Sequence, residues 1–540
     1  MEPRNPGGAP LVDAPPSGME YGREALAAAS NALVSQVALD VIRQGGNAVD
    51  AAVAAGALLM VVEPRNGHLG GDSFMLLHLV SEGKTIALNG SGAAPLAASA
   101  EHYRKLGGIP GDGLLAASVP GTVACWGMAL ERYGSLPLAR LLEPAIDYAR
   151  LGVPVTPRLH RMLVNDAPVY AKFPDSAAVF LPAGRPPAVG ELLRQPLLAA
   201  SLEQLARDGW ETFYRGELAH ELVRYSASHG GLFGEGDFSG HETELMDPLS
   251  IDYRGYTVHE QPPVSQGVIV LLALRILEQF DLTSFGPASA DTIHLQIEAL
   301  KLAFADRLCY LGDHRAVDVP VAYLLSEEHA REQARGIDPG RARPLAWPGN
   351  VQPDTTHMCV ADATGNMVSY IHSLFSGCGV VMGQTGVLMN SRLLGFNLID
   401  GHPNCLAGGK RPMHTLNNFI VYQGGQPRFL GGTPGAHWQV QTNLQTLSNL
   451  LDFGMAPNEA IDAPRFLIGD QLEVGDPTVR LESRVGAEVI EALRARGHRV
   501  NVADPWGVGS GTKLIARDPV TAMYMGAVER RSPGNSVLGR

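Results

Sequence analysis

One turn segment constrains the fold of this chain more than any other feature. The five residues from Asp362 to Asn366 separate two apolar, β-branched runs and include a glycine. Such an arrangement is typical of an antiparallel β-hairpin. Folding the ribbon about Thr364 places Thr355 opposite Ser373, and residues that face one another across a hairpin lie close together. The sequence therefore predicts two neighbouring hydroxyl groups at the open end of the hairpin.

Thr355 carries the chemistry that this hairpin would present. A threonine hydroxyl is a weak nucleophile, but an N-terminal threonine has a free α-amine that can accept the hydroxyl proton. That amine has an ordinary pKa of about 7.7–8, so part of it is neutral at physiological pH. We therefore predict a cleavage site between Asp354 and Thr355. The alternative is that Thr355 and Thr356 only begin a β-strand.

The chain of 540 residues shows no linker, repeat or low-complexity tract. Its longest apolar stretch, Ala51–Val62, falls short of the roughly 20 residues of a membrane-spanning helix, so we expect a buried helix with Asn47 as its N-cap.

The formal charge of −13 discourages nucleic-acid binding. The segment Met1–Ser17 has no apolar signal region. We therefore expect a cytoplasmic protein with neither a membrane nor a nucleic acid as partner.

The cysteines give no sign of a metal site. There are five of them, an odd number without a Cys-x-x-Cys pair, which argues against a disulfide framework and a cysteine-based zinc site. We expect neither a metal nor another cofactor.

Several motifs follow one another in a defined order. Thr355-Thr356-His357 precedes Asp362-x-x-Gly365-Asn366, and both precede Gly383-x-x-Gly386-Val387-Leu388-Met389-Asn390. Further motifs occupy Ser35–Ala52, Val62–Pro64, Leu69–Leu76, Ser118–Gly121, Tyr253–Tyr256, Ala305–Arg307, Gly409–Pro412 and Gly432–Gly435. This set resembles the γ-glutamyltranspeptidase family of N-terminal-nucleophile hydrolases, in the branch near oxamate amidohydrolase. The resemblance extends over residues 20–540.

The resemblance implies an α+β fold, the four-layer αββα sandwich. It also implies a flexible N-terminus over residues 1–20, a large subunit over 21–354 and a small subunit over 355–540, with both subunits in one globular unit. The processed heterodimer could assemble into a higher oligomer. The sequence pattern adds strand-like segments at Gly386–Asn390 and Phe419–Gln423 and helical segments at Gln439–Leu451 and Val485–Arg496.

The family mechanism assigns catalytic roles to four residues. Thr355 would attack the carbonyl of Asp354 during self-cleavage and a substrate amide during turnover, forming an acyl-enzyme. Ser373 matches the hydroxyl neighbour of the nucleophile. The backbone N–H groups of Gly435 and Ala436 would stabilise the oxyanion, although Pro434-Gly435-Ala436 could also be an ordinary glycine-rich turn.

The donor site departs from the family pattern. Ser91 replaces the arginine that grips a donor carboxylate, and Arg392 and Gly395 stand where ammonium-binding residues are expected. His414 and Thr415 replace a pair of serines, and the loop Asp400–Gly409 is short. Because an ammonium beside Arg392 is repelled, the site suits a small anionic acyl group, with Arg392 binding its carboxylate. The alternative role of Arg392 is a surface or structural ion pair.

We therefore predict a self-processing amidohydrolase or acyltransferase for a small-molecule amide, with an oxamate-like or dicarboxylic monoamide favoured. One alternative is a glutathione hydrolase or γ-glutamyltransferase with a rebuilt donor site. A second is a non-catalytic pseudoenzyme that acts as a binding protein.

Overall fold

A computed structural model describes residues 18–344, 354–469 and 477–540. Most of the predicted N-terminal segment, residues 1–17, therefore lies outside the described residues, and Glu20 begins the first strand. The strands are β1 Glu20–Gly22, β2 Leu26–Ala29, β3 Asp72–Leu79, β4 Lys84–Gly90, β5 Val153–Pro154, β6 Leu192–Leu193, β7 Glu244–Met246, β8 Leu249–Tyr253, β9 Tyr256–Glu260, β10 Asp354–Ala361, β11 Met367–Phe375, β12 Asn418–Gln423, β13 Gln426–Gly432, β14 Phe466–Ile468, β15 Val479–Glu482, β16 Val500–Ala503, β17 Lys513–Arg517, β18 Tyr524–Val528 and β19 Ser536–Gly539.

The α-helices are α1 Ala32–Arg43, α2 Ala48–Val62, α3 Ala100–Lys105, α4 Thr122–Tyr133, α5 Leu138–Leu151, α6 Pro157–Tyr170, α7 Pro174–Phe180, α8 Pro196–Asp208, α9 Thr212–Arg215, α10 Glu217–Ser228, α11 Glu235–Ser239, α12 Gly267–Leu277, α13 Ala290–Tyr310, α14 Val321–Leu324, α15 Glu327–Arg335, α16 Trp438–Leu451, α17 Pro457–Asp462 and α18 Ala487–Ala495. A 3₁₀ turn also spans Arg392–Gly395. None of the helices in the described ranges is long and apolar enough to cross a membrane.

Two seven-stranded antiparallel sheets form the centre of the molecule. Sheet 1 has the order β19-β2-β10-β11-β3-β4-β7, and sheet 2 has the order β1-β18-β17-β13-β12-β9-β8. Their facing surfaces share a buried apolar cluster that includes Leu76, Cys359, Ile420, Leu430 and Ile515. Helices α1 and α2 pack against the outer face of sheet 1, with α5 packed on α2, and α12 packs against sheet 2, with α13 and α16 packed on α12. The predicted α+β, four-layer αββα sandwich is therefore confirmed.

The predicted buried helix is α2, and all of its residues are buried. The Asn47 side chain accepts hydrogen bonds from the first-turn N–H groups, and Asp50 completes a capping box, because both satisfy donors that the helix itself cannot pair. The Asp362 carboxylate also accepts a hydrogen bond from the N–H of Ala48 at 2.9 Å. The hairpin turn is thus fixed to the start of α2.

The hairpin has the register that the sequence predicts, with Thr355 paired to Ser373. The strand predicted at Gly386–Asn390 is wrong, because Leu388 and Met389 form only isolated bridges to Val381 and Gly70. Gly386 adopts a positive φ of 64° after a short 3₁₀ turn, which bends the chain away from a ladder.

Gly56 sets how closely α2 approaches β11. A Cβ at this position would lie 2.6 Å from Cε1 of buried Tyr370. We expect Gly56→Ala to move the midpoint of urea unfolding to lower concentration, because overpacking costs about 1–3 kcal/mol, which exceeds or offsets the helix-propensity gain of about 1 kcal/mol. The matched control is Gly236→Ala in α11, whose Cβ would meet Leu96 at an ordinary 3.5 Å. Equal shifts for the two variants would contradict the prediction.

Candidate active site

Thr355 lies at the mouth of the space between the two sheets. Side chains alternate along a strand, so Thr355 faces the same side as Cys359, whose Sγ lies 3.8 Å from the carbonyl oxygen of Leu430 in sheet 2. The Thr355 Oγ1 is 3.0 Å from Ser373 Oγ, and both residues are buried. Ser373 Oγ also accepts the N–H of Phe375 at 2.8 Å. The two predicted hydroxyls therefore form one hydrogen-bonded pair.

The chain leaves β13 of the opposite sheet through the turn that holds the predicted oxyanion donors. Gly435 has φ 133° and Ala436 has φ 48°, which is an unfavourable backbone conformation for alanine. Among the residues that the structure describes, no acceptor takes the N–H of Gly435 or Ala436. Strained backbone with unused donors is characteristic of functional sites, so the predicted oxyanion role of Gly435 and Ala436 stays a prediction that this geometry allows.

Gln266 joins this turn to the segment that contains Thr415. Its side-chain N–H₂ donates to the carbonyl oxygen of Ala436 at 3.0 Å and to that of Thr415 at 2.6 Å. Gln266 is buried, so these bonds fix the two segments relative to one another. Thr415 therefore contributes its backbone to the support of the turn.

Asp72 extends the row of paired residues by one strand. Asp72 lies on β3 and pairs with Ser373 of β11, just as Ser373 pairs with Thr355 of β10. The Asp72 carboxylate accepts hydrogen bonds from Arg392 Nε and from the N–H of Gly92, both at 2.9 Å, and His414 Nε2 is 3.3 Å away. The structure thus brings Arg392 and His414 together on a carboxylate that the site prediction did not include.

The charges of this cluster are balanced. Burial acts to raise the pKa of Asp72, but His414, Arg392 and the Gly92 N–H outweigh it, so the pKa lies below its ordinary value. Burial, assisted by Arg392, lowers the pKa of His414 to about 4. His414 is therefore neutral at pH 7, and the cluster consists of one carboxylate, one guanidinium and one neutral imidazole.

The Arg392 guanidinium retains unused hydrogen-bonding capacity. The side chain is buried, and its guanidinium carbon lies 4.6 Å from the centre of the Phe375 ring. Within the described ranges, Nη1 and Nη2 have no hydrogen-bond partner. Buried polar groups are normally paired, and an unpaired one calls for an explanation. The ion pair with Asp72 agrees with the structural alternative for Arg392, but it uses only Nε.

Ser91 contributes little to the polar surface of the site. Its hydroxyl donates to Asn89 Oδ1 at 2.6 Å, and it is buried. The next residue, Gly92, donates its N–H to Asp72. Ser91 therefore borders the cluster through the backbone of its neighbour.

Asp72, Gln266 and Asn390 are the functional candidates that sequence reasoning missed. Asp72 had a detectable signal, because a carboxylate inside the apolar segment Leu69–Leu76 is expected to need a buried partner. Asn390 is a third case: its Oδ1 accepts the N–H of Arg392 at 2.9 Å and that of Ser118 at 2.9 Å. Its position in the family-like motif gave no indication of this role.

One group of side chains in the described ranges has metal-ligand spacing. Potential ligand atoms of His294, Glu298 and His498 lie within 4.8 Å of one another. His294 Nδ1 is already 2.8 Å from His498 Nε2, and Glu298 forms an ion pair with Lys301. These residues belong to α13 and the segment before β16, outside the cluster around Thr355.

Comparisons with known proteins show what this chain is similar to. The family model described as Gamma-glutamyltranspeptidase matches residues 34–538. The chain is 36% identical over 523 residues to the Glutathione hydrolase-like YwrD proenzyme of Bacillus subtilis, covering 96% of this chain and 98% of that protein. It is 36% identical over 519 residues to the Oxamate amidohydrolase proenzyme of Klebsiella pneumoniae, covering 94% and 97%. The crystal structure of cephalosporin acylase from Bacillus halodurans superposes with a TM-score of 0.90 at 35% identity, covering 99% of each chain.

The Asp72–Arg392 pair provides a test of the site's electrostatics. We expect Asp72→Asn to lower the free energy of unfolding by about 3–5 kcal/mol, because it leaves a buried guanidinium without a counter-ion. Adding Arg392→Gln should recover part of this loss, so the two substitutions are not additive. Urea unfolding of the wild type, both single variants and the double variant measures the coupling. Additive losses would show that the two charges do not stabilise one another.

Proposed function

The chain belongs to the gamma-glutamyltranspeptidase family, and on that premise we propose that it hydrolyses or transfers the acyl group of a small dicarboxylic monoamide. It is a self-processing N-terminal-nucleophile amidohydrolase or acyltransferase, as its proenzyme relatives and its fold show. The observation that carries the proposal is the hydrogen bond between Thr355 Oγ1 and Ser373 Oγ. Ser373 pairs in turn with Asp72 on the next strand, and the Asp72 carboxylate binds Arg392.

Maturation begins at the bond between Asp354 and Thr355. The Thr355 hydroxyl attacks the carbonyl carbon of Asp354, the C–N bond breaks, and an ester replaces the amide. The C–N cleavage leaves Thr355 with a free α-amine, and water then hydrolyses the ester to a new carboxylate on Asp354 and the restored Thr355 hydroxyl. This divides the chain into residues 1–354 and 355–540, which remain packed because β10 pairs with β2 of the larger fragment.

In turnover, the Thr355 α-amine accepts the hydroxyl proton while Oγ1 attacks the substrate carbonyl. Ser373 holds the hydroxyl in position through the 3.0 Å hydrogen bond. The N–H groups of Gly435 and Ala436 stabilise the tetrahedral oxyanion, and one such donor contributes a factor on the order of 10²–10³ in rate. The amine leaves, and water or a second amine cleaves the acyl-enzyme.

The position of Arg392 favours a diacid of intermediate length. Neighbouring strands are about 4.8 Å apart, so the backbone of Asp72 is roughly 10 Å from that of Thr355. The Arg392 guanidinium is bonded to Asp72 at 2.9 Å. In an oxamate-like group the carboxylate is bonded directly to the reacting carbonyl, so it stays close to Thr355. A succinyl or glutaryl chain places the second carboxylate farther from the reacting carbonyl, where the spare N–H groups of Arg392 can bind it.

The same cluster disfavours a γ-glutamyl donor. Asp72 is the carboxylate that could bind an α-ammonium, but it already accepts hydrogen bonds from Arg392 and Gly92. An ammonium placed there would be close to the buried guanidinium, and like charges repel strongly in a low-dielectric site. A carboxylate meets no such repulsion from Arg392.

The processing step is tested by the Thr355→Ala variant. We expect the wild type to give two fragments, residues 1–354 and 355–540, and Thr355→Ala to remain one inactive chain, because it lacks the attacking oxygen. Thr355→Ser is the matched control, since it keeps the hydroxyl and should still be processed. Gel electrophoresis and mass spectrometry of the new N-terminus measure the outcome. An uncut wild type that hydrolyses amides normally would overturn the mechanism.

The acyl preference is tested with a panel of anilides. We expect the wild type to cleave a glutaryl or succinyl anilide with a higher kcat/KM than an oxalyl or γ-glutamyl anilide. Arg392→Gln should lower kcat/KM for the diacid anilide about ten- to a hundredfold and leave a butyryl anilide almost unchanged, because a charge-assisted hydrogen bond is worth about 1.5–3 kcal/mol.

Arg411→Gln is the control, because Arg411 is another buried arginine and pairs with Glu244. It should affect all anilides alike. Efficient cleavage of the γ-glutamyl anilide would favour a glutathione hydrolase with a rebuilt donor site. An equal effect of Arg392→Gln on butyryl and diacid anilides would make Arg392 a structural residue.

A further inference from the structure

Two buried basic residues in the described part of the chain lack a carboxylate partner. The other buried ones form ion pairs, namely Lys301 with Glu298, Arg392 with Asp72, Arg411 with Glu244 and Arg465 with Glu529. Arg307 and Lys513 are buried as deeply, at 3% and 1% exposure, but form no ion pair within the described ranges. Burying a charge without a counter-ion is costly, so these two residues call for an explanation.

Arg307 lies beside one end of the turn over residues 433–437, which holds the predicted oxyanion donors. Arg307 belongs to α13, and its Nη1 donates a hydrogen bond to Nδ1 of His437, the residue after Ala436, at 2.8 Å. Burial and the guanidinium lower the pKa of His437 well below its ordinary value, so the imidazole is neutral. Nε of Arg307 contacts Met413 Sδ at 2.9 Å. Neither neighbour neutralises the guanidinium.

Lys513 lies beside the other end of the same turn. It begins β17 and pairs with Gly432, the last residue of β13. A Cβ built on Gly511 would lie 2.8 Å from Pro434 Cγ and 3.5 Å from Lys513 Nζ, so the ammonium is next to the turn. The two buried cations without a carboxylate partner therefore flank the predicted oxyanion donors.

We propose that Arg307 and Lys513 supply a fixed positive potential that stabilises the oxyanion formed during attack by Thr355. This inference rests on the proposed function, because the oxyanion forms only during acyl transfer. Negative charge develops on the substrate oxygen in the transition state and is absent from the bound amide, so the potential raises kcat without tightening substrate binding. A carboxylate beside either cation would cancel this potential, which explains why these two residues remain without one.

Lys513 can lose its charge close to neutral pH. Burial, assisted by Arg158, lowers its pKa to about 7. The other titratable side chains that interact with it are Glu63, Cys359, Glu529 and His357. A lysine is charged below its pKa and neutral above it, so the contribution of Lys513 is present at about pH 6 and lost at about pH 9.

The first arm of the test removes the charge of Arg307 in the processed enzyme. We expect Arg307→Met to lower kcat for the preferred anilide about tenfold with KM nearly unchanged, as expected for one unit charge at a separation on the order of 10 Å and an effective dielectric constant of about 20. Arg307→Lys keeps the charge and should recover most of the loss. Lys301→Met is the matched control, because Lys301 is equally buried on the same helix but is compensated by Glu298. It should lower stability without this loss in kcat.

The second arm follows the ratio of variant to wild-type kcat for Lys513 with pH, since this ratio cancels the titration of the Thr355 α-amine. Lys513→Met should lower kcat about tenfold at about pH 6 and scarcely at about pH 9, where the wild type has lost the charge. Lys513→Arg should equal the wild type at about pH 6 and exceed it about tenfold at about pH 9, because its guanidinium stays protonated.

Equal losses in kcat for Arg307→Met and Arg307→Lys would overturn the inference, as would kcat ratios of the Lys513 variants that do not change with pH. Where Arg307→Met gives no processed enzyme, the Lys513 variants decide alone. A processed wild type that cleaves none of the anilides would instead overturn the proposed function.

Discussion

The row of paired residues Thr355, Ser373 and Asp72 fixes the geometry on which the rest of the site depends. Each pair lies directly opposite on neighbouring antiparallel strands, so all three side chains point toward the space between the sheets. A slip of one residue in β11 would turn Ser373 toward the helices and separate it from its neighbours. The turn that prevents such a slip is anchored by the bond between Asp362 and the N–H of Ala48.

Placing a carboxylate in this row determines much of the surrounding chemistry. A buried Asp72 requires a counter-charge, and Arg392 supplies it with a single N–H group. The remaining guanidinium N–H groups and the neutral His414 then leave a cluster that is electrically balanced but rich in hydrogen-bond donors. Because the charge of Asp72 is already compensated, the proposed function assigns this cluster to an anionic group rather than a cation. The proposed selection thus depends on the pairing inside the site as much as on which charged residues are present.

Local patterns in the sequence were sufficient for the hairpin, for α2 with its Asn47 cap and for the pairing of Thr355 with Ser373. The αββα architecture came from the family resemblance, because the order of fourteen strands in two sheets depends on long-range pairing. The Asp72–Arg392 contact could not be located, since 320 positions separate the two residues and their approach depends on how β3 packs beside β11. The error at Gly386–Asn390 has a local cause, because an apolar run can pack in the core without joining a ladder.

The proposed mechanism uses one hydroxyl for both self-cleavage and turnover, and that hydroxyl lies at an irregular end of the hairpin. The register shifts between Asp354 and Thr355, and Asp354 pairs with Phe375 rather than Leu374. Phe375 has a φ of 68°, a conformation that costs a non-glycine residue roughly 1–3 kcal/mol, and its ring is held by Arg392. A bulge interrupts regular pairing and re-orients the backbone beside it. The peptide bond before Thr355 therefore leaves the regular ladder where the Ser373 hydroxyl meets Thr355 Oγ1. In the proposed mechanism, this irregularity lets the precursor present its own carbonyl to the oxygen that later attacks the substrate.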